Sequence, residues 1–132
     1  AIVFVMAQEL AHHVQKQLGF IDHVNKHRGR VSEKELNKLN VKLELQADFF
    51  AGVWAHQAAR MGTISLESGD LESAITATTA VGDDTLQKEA MGYTVPDSFT
   101  HGTAAQRTYW FRLGFETGNI NLGDTFSDPS LN

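Results

Sequence analysis

The amino-acid sequence predicts a mainly α-helical domain, on three observations. Apolar residues recur at helical spacing near the N-terminus and again through the middle of the chain. Ser32-Glu33-Lys34-Glu35 and Thr103-Ala104-Ala105-Gln106 both have the form of capping boxes, in which a hydroxyl and a side chain three residues on satisfy each other's backbone donors. No stretch alternates apolar and polar residues convincingly enough to be a strand.

Taken in order, the first helix is expected over about residues 1–18. Its apolar stripe is Val3, Met6, Ala7, Leu10, Val14 and Leu18, and Gly19 ends it. Gln8, Glu9, His12 and Lys16 occupy another face. Residues 20–31, with His23, Lys26, His27, Arg28 and Arg30, read as a solvated connector. The Ser32 box opens a long helix to about Met61, with a stripe of Leu43, Ala47, Phe50, Ala51, Trp54, Ala58 and Met61. Asp70 is the expected cap of a third helix through about Val81, and a shorter helix spans 84–91. Gly92–Gly102 reads as a loop, and the Thr103 box opens a helix carrying Tyr109, Trp110, Phe111, Leu113 and Phe115. The organisation expected is one helical domain over residues 1–118 and a polar, disordered tail over 119–132.

The bulk numbers exclude some functions. At 132 residues, with 42% hydrophobic and 20% charged residues, the chain has the make-up of a globular domain. Its formal net charge of −5 speaks against nucleic acid, which selects basic surfaces. With no cysteine, thiolate metal sites, disulfides and cysteine nucleophiles are excluded. The apolar run 1–7 is too short to span a bilayer, so no membrane contact is expected from this segment. A motif helix that opens at residue 1 suggests that preceding sequence lies outside this chain.

Two constellations carry chemistry. Gln8-Glu9-Leu10-Ala11-His12 is one residue short of HExxH, in which two histidines four apart share a zinc ion and the Glu acts on its water. Alone, such a pattern recurs by chance. Glu44-Leu45-Gln46-Ala47-Asp48 then sets two carboxylates on one helix face, either as site groups or as solvated acids pairing with residues such as Lys42. His23 and His27 are four apart but sit among basic residues, so a surface role is expected. His13 lies about 100° around the helix from His12 and cannot share its ion. His56 is expected to support packing. Glu9-Leu10-Ala11-His12 also fits the Glu-x-x-His motif of di-metal helical bundles, but no second copy exists in the chain.

The run Ala7–Gln15 resembles the HHVQ-bearing active-site helix of the bacterial neutral zinc metallopeptidase family. Residues 44–56 (ELQADFFAGVWAH) and the block Asp97-Ser98-Phe99-Thr100-His101-Gly102 with Gln106-Arg107 and Trp110-Phe111 resemble two further family segments, in the same order. The resemblance implies a zincin-like, gluzincin-type helical catalytic domain, with an active-site helix, a ligand helix and a small upstream β-sheet that this chain lacks. It implies Zn²⁺ as cofactor and a peptide or protein as substrate. It also implies an extracytoplasmic setting, secreted or membrane-anchored through an N-terminal segment beyond this chain. By position, Glu9 is the general base, His12 and Glu44 are metal ligands, and Gln8 stands at the first ligand position. Asp48 is the acid that holds that first ligand by a hydrogen bond. His101 either donates to the developing oxyanion or ties its own loop.

Three departures from the family pattern matter. Gln8 replaces a ligand histidine, and an amide oxygen is a poor zinc ligand beside imidazole. Ala11 replaces a glycine. Phe49 and Gly123 stand where the resemblance implies a cysteine pair. Two readings follow: a zinc metallopeptidase with a weakened metal site, or an inactive pseudopeptidase kept as a binding module.

Overall fold

The structure is a computed structural model that describes residues 2–62 and 68–132, without the side chains of residues 2, 3 and 68–72. Six helices form: α1 (Ile2–Gln17), α2 (Phe20–Asn25), α3 (Glu33–Arg60), α4 (Ser68–Ala80), α5 (Asp83–Met91) and α6 (Ala104–Thr117). The described residues contain no strand, in keeping with the mainly α class expected.

Helices α4 and α5 pack against α6, while α3 is the axis on which α6, α1 and α2 pack. Local signals place its start. Ser32 Oγ accepts the Glu35 backbone N–H, with Glu33 and Glu35 in the first turn opposing the helix dipole. At α6 the capping box is complete, Thr103 Oγ1 accepting from Gln106 N while Gln106 Oε1 accepts from Thr103 N.

Two glycines let α3 and α6 touch backbone to backbone. A Cβ on Gly52 would enter the Phe111 carbonyl and stand 2.8 Å from Phe115 N. A Cβ on Gly114 would enter the Phe49 carbonyl and stand 2.9 Å from Val53 N. The contact is reciprocal, so any side chain at either position pushes the helices apart. On one side of this crossing Phe4, Ala7, Ala51 and Phe111 form a core cluster, with Phe4 edge-on to Phe111 at 5.6 Å. On the other, Leu45, Phe49, Trp110 and Leu131 form a second.

Several expectations are corrected. The buried row of α1 is Phe4, Ala7, Ala11 and Gln15, whereas Met6, Leu10 and Leu18 are 64%, 43% and 60% exposed. The apolar stripe is therefore rotated from the one the spacing suggested, because residue size misled: small alanines, not Met6 and Leu10, sit where α1 lies close to α3. Met61 is also exposed. The expected cap Asp70 and the stripe residue Val3 lie outside the described side chains. Residues 20–31 are not wholly connector, since Phe20–Asn25 forms α2 and buries Val24. The tail is ordered. It forms short 3₁₀ turns at 120–122, 125–127 and 129–131, and Thr125 donates its hydroxyl to the Lys42 carbonyl at 2.6 Å from a fully buried position. Positions 49 and 123 are neighbours: Gly123 lies flat against the Phe49 ring, which leaves no room for a side chain there.

Candidate metal centre

Burial of Phe4, Ala7 and Ala11 presses α1 onto α3, and Gln8 and His12 border that buried row one helical turn apart. Facing them on α3 are Glu44 and Asp48, also one turn apart. Together with Arg107 of α6 and His101, Gln8, His12 and Glu44 line a cavity of about 550 Å³, while Asp48 is fully buried and off its lining. Its opposite wall is apolar, made by Phe4, Val5, Ala77, Ala80, Val81 and Leu86.

His12 Nε2 lies 3.4 Å from Glu44 Oε2. The Glu44 carboxylate raises the His12 imidazole above its ordinary value, with burial opposing. Burial works to raise Glu44 as well, but the bond to His12 and its charge outweigh it and leave Glu44 lowered. On its other edge, His12 Nδ1 is 3.0 Å from Gln15 Oε1.

Gln8 Nε2 donates to Asp48 Oδ1 at 3.0 Å. Asp48 is fully buried and is gripped from the far side by Arg107, whose Nε and Nη2 donate to Oδ2 and Oδ1 at 2.8 and 3.0 Å. Burial pushes Asp48 up to about 6 against the pull of the guanidinium, so the carboxylate is still ionised at neutral pH. Such a bidentate pair supplies both charge balance and geometric fixity. Arg107 also donates to the Val81 carbonyl at 3.3 Å, linking the centre to the end of α4.

His101 is held by Asp83, at the start of α5. Asp83 Oδ2 accepts the backbone N–H groups of Thr100, His101 and Gly102 at 3.0, 2.7 and 2.9 Å. Its other oxygen is 3.7 Å from His101 Nδ1, which also lies 2.9 Å from Thr100 Oγ1. The Asp83 carboxylate raises the His101 imidazole.

The tertiary structure therefore gathers Gln8, His12, Glu44 and His101 around one cavity, with Asp48 buried beyond the lining and bonded to Gln8. Glu9 is placed differently: it is exposed on α1 and is not among the residues lining the cavity. His13 is exposed, and His56 spends its Nδ1 on the Phe115 carbonyl at 2.7 Å, a packing role. Among the described residues no three His, Asp or Glu side chains converge as a metal site. Sequence reasoning assigned no role to Arg107, Asp83, Gln15 or Gln46. Gln15, Gln46 and Arg107 lie inside the motif blocks, which was the available signal; Asp83 had none.

The two acidic and basic donors have a spacing that suits one ion. Two ligand atoms each about 2.0–2.1 Å from a tetrahedral zinc lie about 3.4 Å apart, the separation of His12 Nε2 and Glu44 Oε2. Gln8 adds only an amide oxygen, a harder and weaker donor for zinc than imidazole.

The uncharacterised protein YpfJ of Escherichia coli is 49% identical over 123 residues, covering 93% of this chain and 42% of YpfJ. The uncharacterised proteins Mb2605 of Mycobacterium bovis and Rv2575 of Mycobacterium tuberculosis are each 40% identical over 136 residues, covering 97% of this chain and 45% of theirs. The chain thus spans less than half the length of these relatives. No solved structure matches it. Residues 1–126 match the family model described as "Putative neutral zinc metallopeptidase", and the chain belongs to that family.

Proposed function

We propose that this domain is the helical half of a peptidase site that takes a divalent metal through His12, Glu44 and the amide oxygen of Gln8, with much weaker affinity than a two-histidine centre. The observation that carries the reading is the Gln8–Asp48 hydrogen bond. With its nitrogen committed to Asp48, the Gln8 amide leaves its oxygen as the end available to the cavity it shares with His12 and Glu44. Family membership and the 3.4 Å spacing of His12 and Glu44 support the metal assignment.

When bound, the metal would acidify a water and polarise a peptide carbonyl. The remaining work falls to the chain's own residues. Glu9 holds the family's proton-acceptor position on the turn that carries Gln8 and His12, but its carboxylate is exposed and off the cavity lining, so it would act there only after turning toward the cavity. His101, held by Asp83, offers an N–H to a developing oxyanion at the cavity edge. Asp48 and Arg107 fix the Gln8 amide. The apolar wall of Phe4, Val5, Ala77 and Leu86 receives an apolar part of a peptide or protein substrate.

A second reading, a pseudopeptidase that binds without turnover, is favoured by the His12–Glu44 ion pair, which is charge-balanced on its own. Elemental analysis and cleavage of an unfolded protein substrate separate the two, with Gln8→His in parallel. The peptidase reading expects zinc in the parent, slow chelator-sensitive cleavage, and at least about 100-fold tighter zinc in Gln8→His. A parent that stays metal-free and inactive while Gln8→His binds zinc supports the pseudopeptidase. If neither protein binds zinc, the ligand assignment is wrong.

A further inference from the structure

Behind His12 runs a chain of buried amides that the chemistry above does not use. Gln46 Nε2 donates to the Gly123 carbonyl at 3.3 Å. Gln46 Oε1 accepts from Gln15 Nε2 at 3.0 Å. Gln15 Nε2 also donates to the Leu43 carbonyl at 2.7 Å, and Gln15 Oε1 faces His12 Nδ1 at 3.0 Å. Gln15 is fully buried and Gln46 is 2% exposed.

The direction of every bond in this chain is forced. The Gly123 and Leu43 carbonyls can only accept, so both amide nitrogens must point at them. That spends both hydrogens of Gln15 Nε2 and leaves only its oxygen toward His12. An amide oxygen has no proton to give, so this contact is a hydrogen bond only when Nδ1 carries one. Flipping the Gln15 amide would set its oxygen against the Leu43 and Gln46 oxygens in a dry site, costing several buried hydrogen bonds at once.

We infer that Gln15 and Gln46 are positioning residues, a buried amide relay anchored on Gly123 and Leu43 that holds His12 in its Nδ1–H tautomer and presents Nε2 to the cavity. Nε2 is the nitrogen that faces Glu44. In the neutral ring the Glu44 carboxylate at Nε2 competes with Gln15 for the one proton. The shorter contact at Nδ1, to a fully buried amide, favours Gln15, which leaves Nε2 as the place where a proton and a metal exchange. Metal-binding histidines depend on such a partner at the other ring nitrogen. Here the brace is neutral. A carboxylate at position 15 would accept from His12, but could not donate to Leu43 and would bury a charge. The relay also accounts for two glutamines inside the sequence motifs, and it ties the tail at Gly123 to the centre. Its consequence for metal rests on the peptidase reading above; the tautomer does not.

The test is long-range ¹H–¹⁵N spectroscopy of histidine-labelled, metal-free protein, at a pH above the His12 pKa. The parent is expected to show Nδ1 protonated and Nε2 bare. Gln15→Leu, which keeps bulk but removes the acceptor, should shift His12 toward the Nε2–H form that free histidine favours and weaken zinc about 10–100-fold. Gln15→Glu should retain Nδ1–H and raise the His12 pKa. A parent with Nε2–H overturns the inference, as does a folded Gln15→Leu that keeps Nδ1–H. Should Gln15→Leu not fold, the parent tautomer and the Gln15→Glu titration decide, and an unmoved His12 pKa in Gln15→Glu counts against the relay. The expected tautomer in a protein that never binds zinc supports the relay and sinks only the metal reading.

Discussion

Replacing Gly52 by alanine tests how closely α3 and α6 approach, and through that how the Asp48–Arg107 pair is braced. Alanine is the better helix former by about 1 kcal/mol, so local propensity favours the variant. Against it, the new Cβ would enter the Phe111 carbonyl and stand 2.8 Å from Phe115 N. Relief requires the helices to part by about 1 Å, since carbon and a neighbouring heavy atom rest about 3.5 Å or more apart. Overpacking of this kind costs about 1–3 kcal/mol. The strain does not stay local. Asp48 lies one turn before Gly52 and Arg107 one turn before Phe111, so the same parting stretches their bonds of 2.8 and 3.0 Å toward the limit of hydrogen bonding. Weakening a charged hydrogen bond adds about 1.5 kcal/mol. The net expectation is a loss of about 2–3 kcal/mol, read as a fall in thermal midpoint of about 10 °C by circular dichroism. Gly114→Ala, facing Phe49 and Val53, should cost a similar amount, and the double variant less than the sum, because one separation relieves both clashes. A Gly52→Ala protein as stable as the parent would show that propensity wins and that the crossing is not a backbone contact.

Two further outcomes follow from the buried and half-buried charges. Arg107→Leu strands the fully buried Asp48 carboxylate and should cost about 3–5 kcal/mol by urea denaturation, whereas Asp48→Leu/Arg107→Leu should lose less than the single variant; a double loss equal to the sum of the Arg107→Leu and Asp48→Leu losses would mean the pair is not coupled. In metal-free protein, His12 is raised, so its contribution is full below pH 6.5 and is lost as pH rises through its folded value. Glu44 is lowered, so its contribution is full above pH 4.5 and is lost as pH falls through its folded value. Stability from this pair therefore peaks between about pH 4.5 and 6.5, and Glu44→Gln should flatten that peak in a chelator-treated pH series; an unchanged profile would refute the pairing.

Much of the local structure was legible because its causes are local. Ser32 and Thr103 cap helices through atoms three residues away, and the long α3 follows from an unbroken run without proline. The spacing of Gln8 with His12, and of Glu44 with Asp48, set each pair on one helix face before any packing was known. Large apolar side chains misled where the fold uses small ones. Met6 and Leu10 point outward because Ala7 and Ala11 are what a close approach to α3 accommodates. The polar tail was misjudged because its order comes from contacts with α3, through Thr125 on Lys42 and Leu131 in the core, which no nearby residue announces.

The sequence by itself determined that the chain is helical, where α3 and α6 begin, and that an amide, Gln8, stands one turn before His12. Only the tertiary structure decided what that amide touches. The bond to Asp48, the grip of Arg107 from α6, and the Gln15–Gln46–Gly123 chain behind His12 join residues 31 to 77 positions apart. Hydrogen bonds of that range have no periodicity in the sequence. They exist because the Gly52–Gly114 crossing and the small alanines of α1 bring three helices close enough for buried polar groups to satisfy one another.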